Sequence, residues 1–179
     1  MIKVSKFLAY ILRHHPEKAG LTLDEQGWVE VDAVMAAIHK EFGEFSLDQL
    51  KSVVIDAEKI RYAFNETGDK IRASQGHSKK IDLGLTPTVP PPFLYHGTKD
   101  SVLDAIMHEG LTPRSRQHVH LSADIVTAKL VAARRAGLSA ILRIDTTLLG
   151  DHPFYLSDNG VWLTDNVPPL AIDILGESA

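Results

Sequence analysis

The chain contains no cysteine, which excludes disulfide bridges and thiolate metal centres and fits a cytosolic setting without requiring one. No apolar run approaches the roughly 20 residues that a bilayer demands. A signal-peptide pattern is also missing at the start, because Lys3 and Lys6 sit inside an amphipathic segment with no separate apolar core. Nor is there an excess of positive charge: 19 Lys and Arg face 23 Asp and Glu, a net charge of −4. A protein held to nucleic acid by non-specific phosphate attraction is basic overall or along one face, so a polyanionic substrate here needs a few cations placed in one pocket. Internal repeats are absent. The expectation is a soluble, cytoplasmic, monomeric chain, with no membrane partner, long enough at 179 residues for one domain or two small lobes. What the sequence has in abundance is histidine, nine in all, which points to metal, proton or anion chemistry.

The stretch "KKIDLGLTPTVPPP" (79–92) holds four prolines and no sustained period, and reads as a linker. It divides the chain into lobes at 1–80 and 93–179, with 81–92 between. In the first lobe, Val4, Phe7, Leu8, Ile11 and Leu12 fall at helical spacing, and Pro16 predicts the helix end. Helical phase then puts His15 on the buried stripe as a structural residue, His14 on its flank, and Arg13 pointing away from its own lobe's core. A second helix is expected from Asp32 to near Gly43, and a third after Ser46 and Gln49, which have capping-box spacing. "IRYAFNETGDKIRAS" reads as a β-hairpin. Three helices followed by a hairpin is the order of a winged helix. In the second lobe, short strands outnumber helices, so the fold class is α+β with a mixed second lobe.

Three motifs carry candidate chemistry. In "RQHVHLSAD", His118 and His120 share one strand face with Arg116, and a guanidinium on that face favours an anion over a metal ion. In "LYHGT", the strand is expected to turn at Gly97, letting backbone approach a ligand beside His96. In "IRASQGHS", Arg72, Gln75, Gly76, His77 and Ser78 offer a polar, glycine-containing loop with donors for a phosphate.

Taken in order, "LRHHP", "KIRYAF", "IRASQGHS", "LYHGT", "RQHVHLS" and "NGVWLT" span both lobes, and the chain resembles the NAD-dependent RNA 2'-phosphotransferase family over nearly its whole length. The resemblance implies an N-terminal winged-helix lobe that binds RNA and a C-terminal ADP-ribosyltransferase-like lobe that binds NAD. It implies catalytic roles for Arg13, His14, Arg61 and Arg116. Arg61 matches better than Arg72 because it precedes the aromatic residue of the first hairpin strand. NAD contacts are implied for His96, Gly97 and Thr98, for His120 and Ser122, and near Val161, where related polymerases carry a glutamate. No metal is implied.

Missing carboxylate at Val161 has a chemical reason. A phosphomonoester, with a second pKa near 6, is already anionic at neutral pH and needs orienting guanidinium groups rather than a base. The implied reaction has two steps. An internal RNA 2'-phosphate attacks the anomeric carbon of NAD and expels nicotinamide; the ADP-ribose 2''-hydroxyl then attacks phosphorus, releasing 2'-hydroxyl RNA and ADP-ribose 1'',2''-cyclic phosphate. Such 2'-phosphates arise in tRNA splicing. Two alternatives stand beside this reading. One is an ADP-ribosyltransferase that stops after the first step on a nucleic-acid phosphate end, and the other a non-enzymatic winged-helix regulator that senses NAD.

Overall fold

A computed structural model describes residues 1–55 and 60–178. They form two compact units, Met1–Gly84 and Leu85–Ala179. Both mix helices with small antiparallel sheets, so the chain is α+β.

The N-terminal unit opens with helix α1 (Ile2–Arg13), whose Val4, Leu8, Ile11 and Leu12 are buried at the spacing of one helical face. A two-residue strand β1 (Val29–Glu30) leads into α2 (Val31–Phe42), one residue earlier than Asp32 predicts. Helix α3 (Leu47–Ile55) is started by the expected box: the Ser46 amide donates to Gln49 Oε1 at 2.8 Å, and the Gln49 amide to Ser46 Oγ at 3.2 Å. The rest of the predicted third helix, 56–59, lies outside the described residues. Strands β2 (Tyr62–Phe64) and β3 (Lys70–Ala73) form the hairpin, with Tyr62 opposite Ala73, and β1 adds to the other edge of β3. Leu50, Val53 and Val54 of α3 join Val34 and Ile38 of α2, Ile71 and the α1 stripe in one apolar core. The first residues of the Pro-rich stretch belong to this unit: Ile81 and Leu83 are buried, and the Asp82 amide donates to Glu25 O at 2.9 Å.

The C-terminal unit contains two three-stranded sheets. The first, in order β4-β6-β9, contains β4 (Phe93–Lys99), β6 (Ser139–Asp145) and β9 (Ile172–Ser178). The second, in order β5-β8-β7, contains β5 (Val119–Leu121), β7 (Tyr155–Leu156) and β8 (Trp162–Thr164). An antiparallel bridge between Tyr95 and Ser122 joins β4 to the end of β5. Helix α4 is Leu103–Glu109, and α5 is Ile125–Ala132. Asp124 caps α5, accepting from the Thr127 amide at 2.7 Å. The helix ends before Arg134 and Arg135, which stand in the following turn. No helix among the described residues is long and apolar enough to cross a membrane.

Two sequence expectations need correction. Gly97 does not end a strand: β4 runs through it to Lys99, with Gly97 opposite Ile141. What approaches its backbone is α5, since a Cβ on Gly97 would lie 2.0 Å from Ala128 O and 2.8 Å from Ala132 N. His15 is not on the buried stripe either. Helical phase stops at Arg13, because His14 (φ −124°, ψ −50°) and His15 (φ −134°, ψ 57°) have left the helix. His15 is exposed, packed on the Tyr10 ring and hydrogen-bonded to Glu17 Oε1 at 3.2 Å.

Candidate functional site

In the N-terminal unit the residues of three separate motifs meet. Arg13 turns back onto its own unit rather than away from it. Its guanidinium carbon lies 6.0 Å from the Tyr62 ring centroid, and its Nη1 lies 3.5 Å from where a Cβ on Gly76 would be. Gly76 has φ +90°, a backbone that side-chain-bearing residues rarely adopt, so the turn calls for glycine, while a Cβ there would meet Arg13 only at ordinary contact distance.

Loop 74–78 is fastened at both ends to Arg61 and Arg13, the two arginines of this unit implied as catalytic. The Ser74 amide donates to Arg61 O at 3.0 Å, and the Ser78 amide to Arg13 O at 3.0 Å. His14, half-buried, is the C-cap of α1 and donates its amide to Tyr10 O. Arg61 itself precedes β2 and is half-buried. Burial raises the Tyr62 phenol above its usual range; the hydrogen bond to Ser5 O and the charges of Arg13 and Arg61 oppose that rise.

The same loop is polar but largely enclosed. Ser74, Gln75 and His77 are buried, while Gly76 is half-buried and Ser78 exposed. His77, 2% exposed, has its Nε2 3.3 Å from the Cβ position of Gly27. Burial first, then the charges of Arg13, Arg72 and His14, push its pKa down to about 4, so it is neutral at pH 7. Arg72 is buried too, with its guanidinium 4.4 Å over the Trp28 ring and Nη1 3.4 Å from both Gln26 O and Leu83 O. Those contacts bind the chain's own backbone. They tie Arg72 to the segments around Gln26 and Leu83.

In the C-terminal unit, hydrogen bonds link three predicted residues in series. Arg116 Nη1 donates to His120 Nδ1 at 3.0 Å, and His96 Nδ1 donates to His120 O at 2.9 Å. These bonds assign the tautomers. A carbonyl only accepts, so His96 carries its proton on Nδ1; burial, with a smaller effect from Arg116, lowers its pKa and keeps it neutral, leaving Nε2 as an acceptor. An arginine only donates, so His120 Nδ1 is the acceptor and Nε2 carries the proton.

Thr98 continues β4 opposite Ala140, and Ser122 exchanges amide and carbonyl bonds with Tyr95 at 2.8 Å. Val161 is half-buried just before β8, its amide on Ser157 Oγ at 3.0 Å. His118 stands apart from this series, packed on the Tyr155 ring.

The sequence reading missed several neighbours. Tyr62 and Trp28 form the floors under Arg13 and Arg72, and Ala128 and Ala132 fill the space that Gly97 leaves. The signal for Tyr62 was its place beside Arg61. Nothing in sequence marked Trp28, 44 positions from Arg72.

A family model described as "RNA 2'-phosphotransferase, Tpt1 / KptA family" matches residues 1–166. Among similar proteins, one from Fusobacterium nucleatum is 48% identical over 169 residues, covering 93% of this chain and 94% of its own length. Another from Nostoc punctiforme is 46% identical over 171 residues, 94% of each chain. A third from Agrobacterium fabrum is 46% identical over 177 residues, 98% of this chain and 95% of its own. All three carry the name "Probable RNA 2'-phosphotransferase".

Proposed function

The chain belongs to the RNA 2'-phosphotransferase family, and from that premise we propose that it moves an internal RNA 2'-phosphate to NAD. The products are nicotinamide, RNA with a free 2'-hydroxyl and ADP-ribose 1'',2''-cyclic phosphate. The observation that carries this reading is the series Arg116–His120–His96, which sets an arginine suited to phosphate beside two neutral imidazoles suited to ribose hydroxyls. His96 Nε2 accepts and His120 Nε2–H donates, a pair that orients a diol.

In this reaction Arg13, Arg61 and Arg116 hold the phosphate oxygens, and His14 contacts the phosphate or relays its proton. A phosphate oxygen forms the bond to the anomeric carbon as the bond to nicotinamide breaks. The vicinal hydroxyl then forms a bond to phosphorus as the bond from phosphorus to the RNA 2'-oxygen breaks, and its proton leaves on that oxygen. The enzyme supplies position and positive charge. Val161 offers no base, and the anionic nucleophile requires none. The N-terminal unit serves as a winged-helix RNA-binding lobe, which its three helices and hairpin support; residues 93–179 serve as an ADP-ribosyltransferase-like lobe.

The test is a short RNA with one internal 2'-phosphate, incubated with and without NAD and with no added divalent cation. The expected result is NAD-dependent loss of the phosphate with nicotinamide and the cyclic phosphate found by mass spectrometry. Phosphate retained in full in the presence of NAD would sink the reading.

A further inference from the structure

The C-terminal unit is acidic overall, its seven Lys and Arg facing ten Asp and Glu, yet four of the seven cations fall in two tight turns. The first turn is closed by the Arg116 amide donating to Pro113 O at 3.1 Å. It contains Arg114 at φ 54°, which is the sole non-glycine residue with positive φ among the described residues. A left-handed backbone is strained for a residue with a Cβ, so this turn is held in shape by its surroundings.

The second turn follows α5 and presents Arg134 and Arg135, both exposed. Its far end and the start of β6 are bonded to Lys99 and Asp100, at and just beyond the end of β4. Lys99 Nζ donates to Gly137 O at 2.8 Å and to Ser139 Oγ at 2.9 Å, and the Asp100 amide to Leu138 O at 3.1 Å.

The two turns converge. The last coil of α5 lies on Gly97, next to His96, and His96 is bonded to the carbonyl of the residue whose ring holds Arg116. Arg135 and Arg134 repel the Arg116 guanidinium and, after partial desolvation, depress its pKa. Among the described residues no carboxylate forms an ion pair with Arg114, Arg116, Arg134 or Arg135. Like charges fixed together without counter-ions raise the energy of the empty protein and favour an arriving anion.

We propose that Arg134 and Arg135, with Arg116, form a docking surface for the sugar–phosphate backbone of the RNA strand that carries the reacting 2'-phosphate. The inference rests on the function proposed above in taking the polyanion to be RNA. An internal 2'-phosphorylated nucleotide carries a phosphodiester on the neighbouring 3'-carbon, so cations that receive the first phosphate meet a second anion beside it. Exposed arginines on a turn suit a strand passing over the surface, whereas a small molecule is gripped in an enclosed cavity. Placing RNA contacts on this unit adds to the contacts expected from the N-terminal one.

The experiment measures binding of a fluorescent single-stranded RNA with one internal 2'-phosphate to the full chain, without NAD, between about 50 and 200 mM salt. Wild type is compared with the double variants Arg134→Gln/Arg135→Gln and Arg134→Lys/Arg135→Lys. The glutamine variant is expected to bind roughly 10-fold more weakly at low salt, with its log–log salt slope shallower by about 1.4, or about 0.7 per lost phosphate contact. The lysine variant keeps the slope, because charge sets counterion release. NAD affinity by calorimetry stays unchanged in both.

An unaltered slope in the glutamine variant overturns the proposal. So does a loss of NAD affinity with RNA affinity intact, which assigns the turn to the dinucleotide's pyrophosphate. Absent nicotinamide release by wild type, together with an arginine-dependent salt slope, would instead refute the phosphotransfer reading and leave the docking surface standing.

Discussion

Arg13 and Arg116 are given one task by the proposed reaction, and the two units mount them in opposite ways. Arg13 is half-buried, laid over Tyr62 and Gly76, with its own carbonyl bonded to Ser78. Arg116 is exposed, held by a single imidazole nitrogen and crowded by two other arginines. The first is fixed by packing, the second by electrostatics and one hydrogen bond. Replacing each therefore has different consequences for stability even where the kinetic loss is alike.

The largest effect expected is on turnover. Arg13→Ala and Arg116→Ala should each slow phosphate release about 10²–10³-fold, in line with removing one preorganised donor from a developing charge. An RNA-phosphate–ADP-ribose adduct should accumulate, because the second step asks most of those cations. Denaturant unfolding then separates the pair. Arg13→Ala should cost about 1–3 kcal/mol through lost packing on Tyr62 and the loop, and Arg116→Ala within about 0.5 kcal/mol. Equal stability losses would break the comparison, and full turnover in both variants would remove the arginines from the mechanism.

Next in size is a pair of glycine substitutions. Gly97→Ala drives a Cβ into α5 backbone, where neither side can yield, and should cost about 3 kcal/mol or more of unit stability. Gly76→Ala meets only the flexible Arg13 side chain at ordinary contact distance, so its cost is the backbone at φ +90°, about 1–2 kcal/mol. Thermal melts check the order; a Gly97→Ala protein that melts like wild type would mean α5 slides freely on β4.

Those glycines also show where sequence reasoning stops. Gly97 is expected from "LYHGT" to turn the strand and let backbone approach a ligand, whereas β4 runs through it and the backbone that approaches is α5, whose Ala128 and Ala132 are small residues some 30 positions away. Local devices were legible. The α1 stripe, the Ser46/Gln49 box and the hairpin from Tyr62 to Ala73 follow from neighbours in sequence.

Helical phase does not reach His15 because the helix ends two residues before it, at Arg13. Loop 74–78 defeated the equation of polar with exposed: Ser74, Gln75 and His77 are buried because the loop is bonded at both ends to arginines from other elements. Long-range bonds of that kind leave no local trace.

A pH dependence sharpens the contrast between the units' histidines. His77 in the folded chain titrates near pH 4, below the ordinary 6.5. Between those values the unfolded chain binds more protons than the folded one, so stability falls as pH drops from about 6.5 toward 4. Above pH 6.5 this contribution is complete. The slope approaches about 1.4 kcal/mol per pH unit for one such group. His77→Asn should flatten the fall, and urea unfolding at pH 7 and pH 5 measures the difference. In the C-terminal unit His96 is shifted in the same direction, yet its hydrogen bond to His120 O opposes the shift. A pH dependence untouched by His77→Asn would transfer the effect to that unit.

The smallest effect compares the helix starts. Helix α3 is capped by Ser46 Oγ at 3.2 Å, while α5 is capped by Asp124, which accepts from the Thr127 amide at 2.7 Å and from its hydroxyl at 2.8 Å. Ser46→Ala and Asp124→Ala each remove one partner of an otherwise unpaired amide, worth about 1 kcal/mol. The charged cap should cost the larger share, because it also faces the positive end of the helix macrodipole. Their functional consequences should diverge. Helix α3 packs through Leu50, Val53 and Val54 into the apolar core of the N-terminal unit, so Ser46→Ala should lower the melting temperature with turnover unchanged below it. Helix α5 lies on Gly97 and carries the Arg134–Arg135 turn, so fraying its first turn should also weaken binding of 2'-phosphorylated RNA by a few-fold. If both caps lower stability and neither moves RNA affinity, α5 is packing alone, and the turn beyond it holds its arginines through Lys99 and Asp100 without the helix.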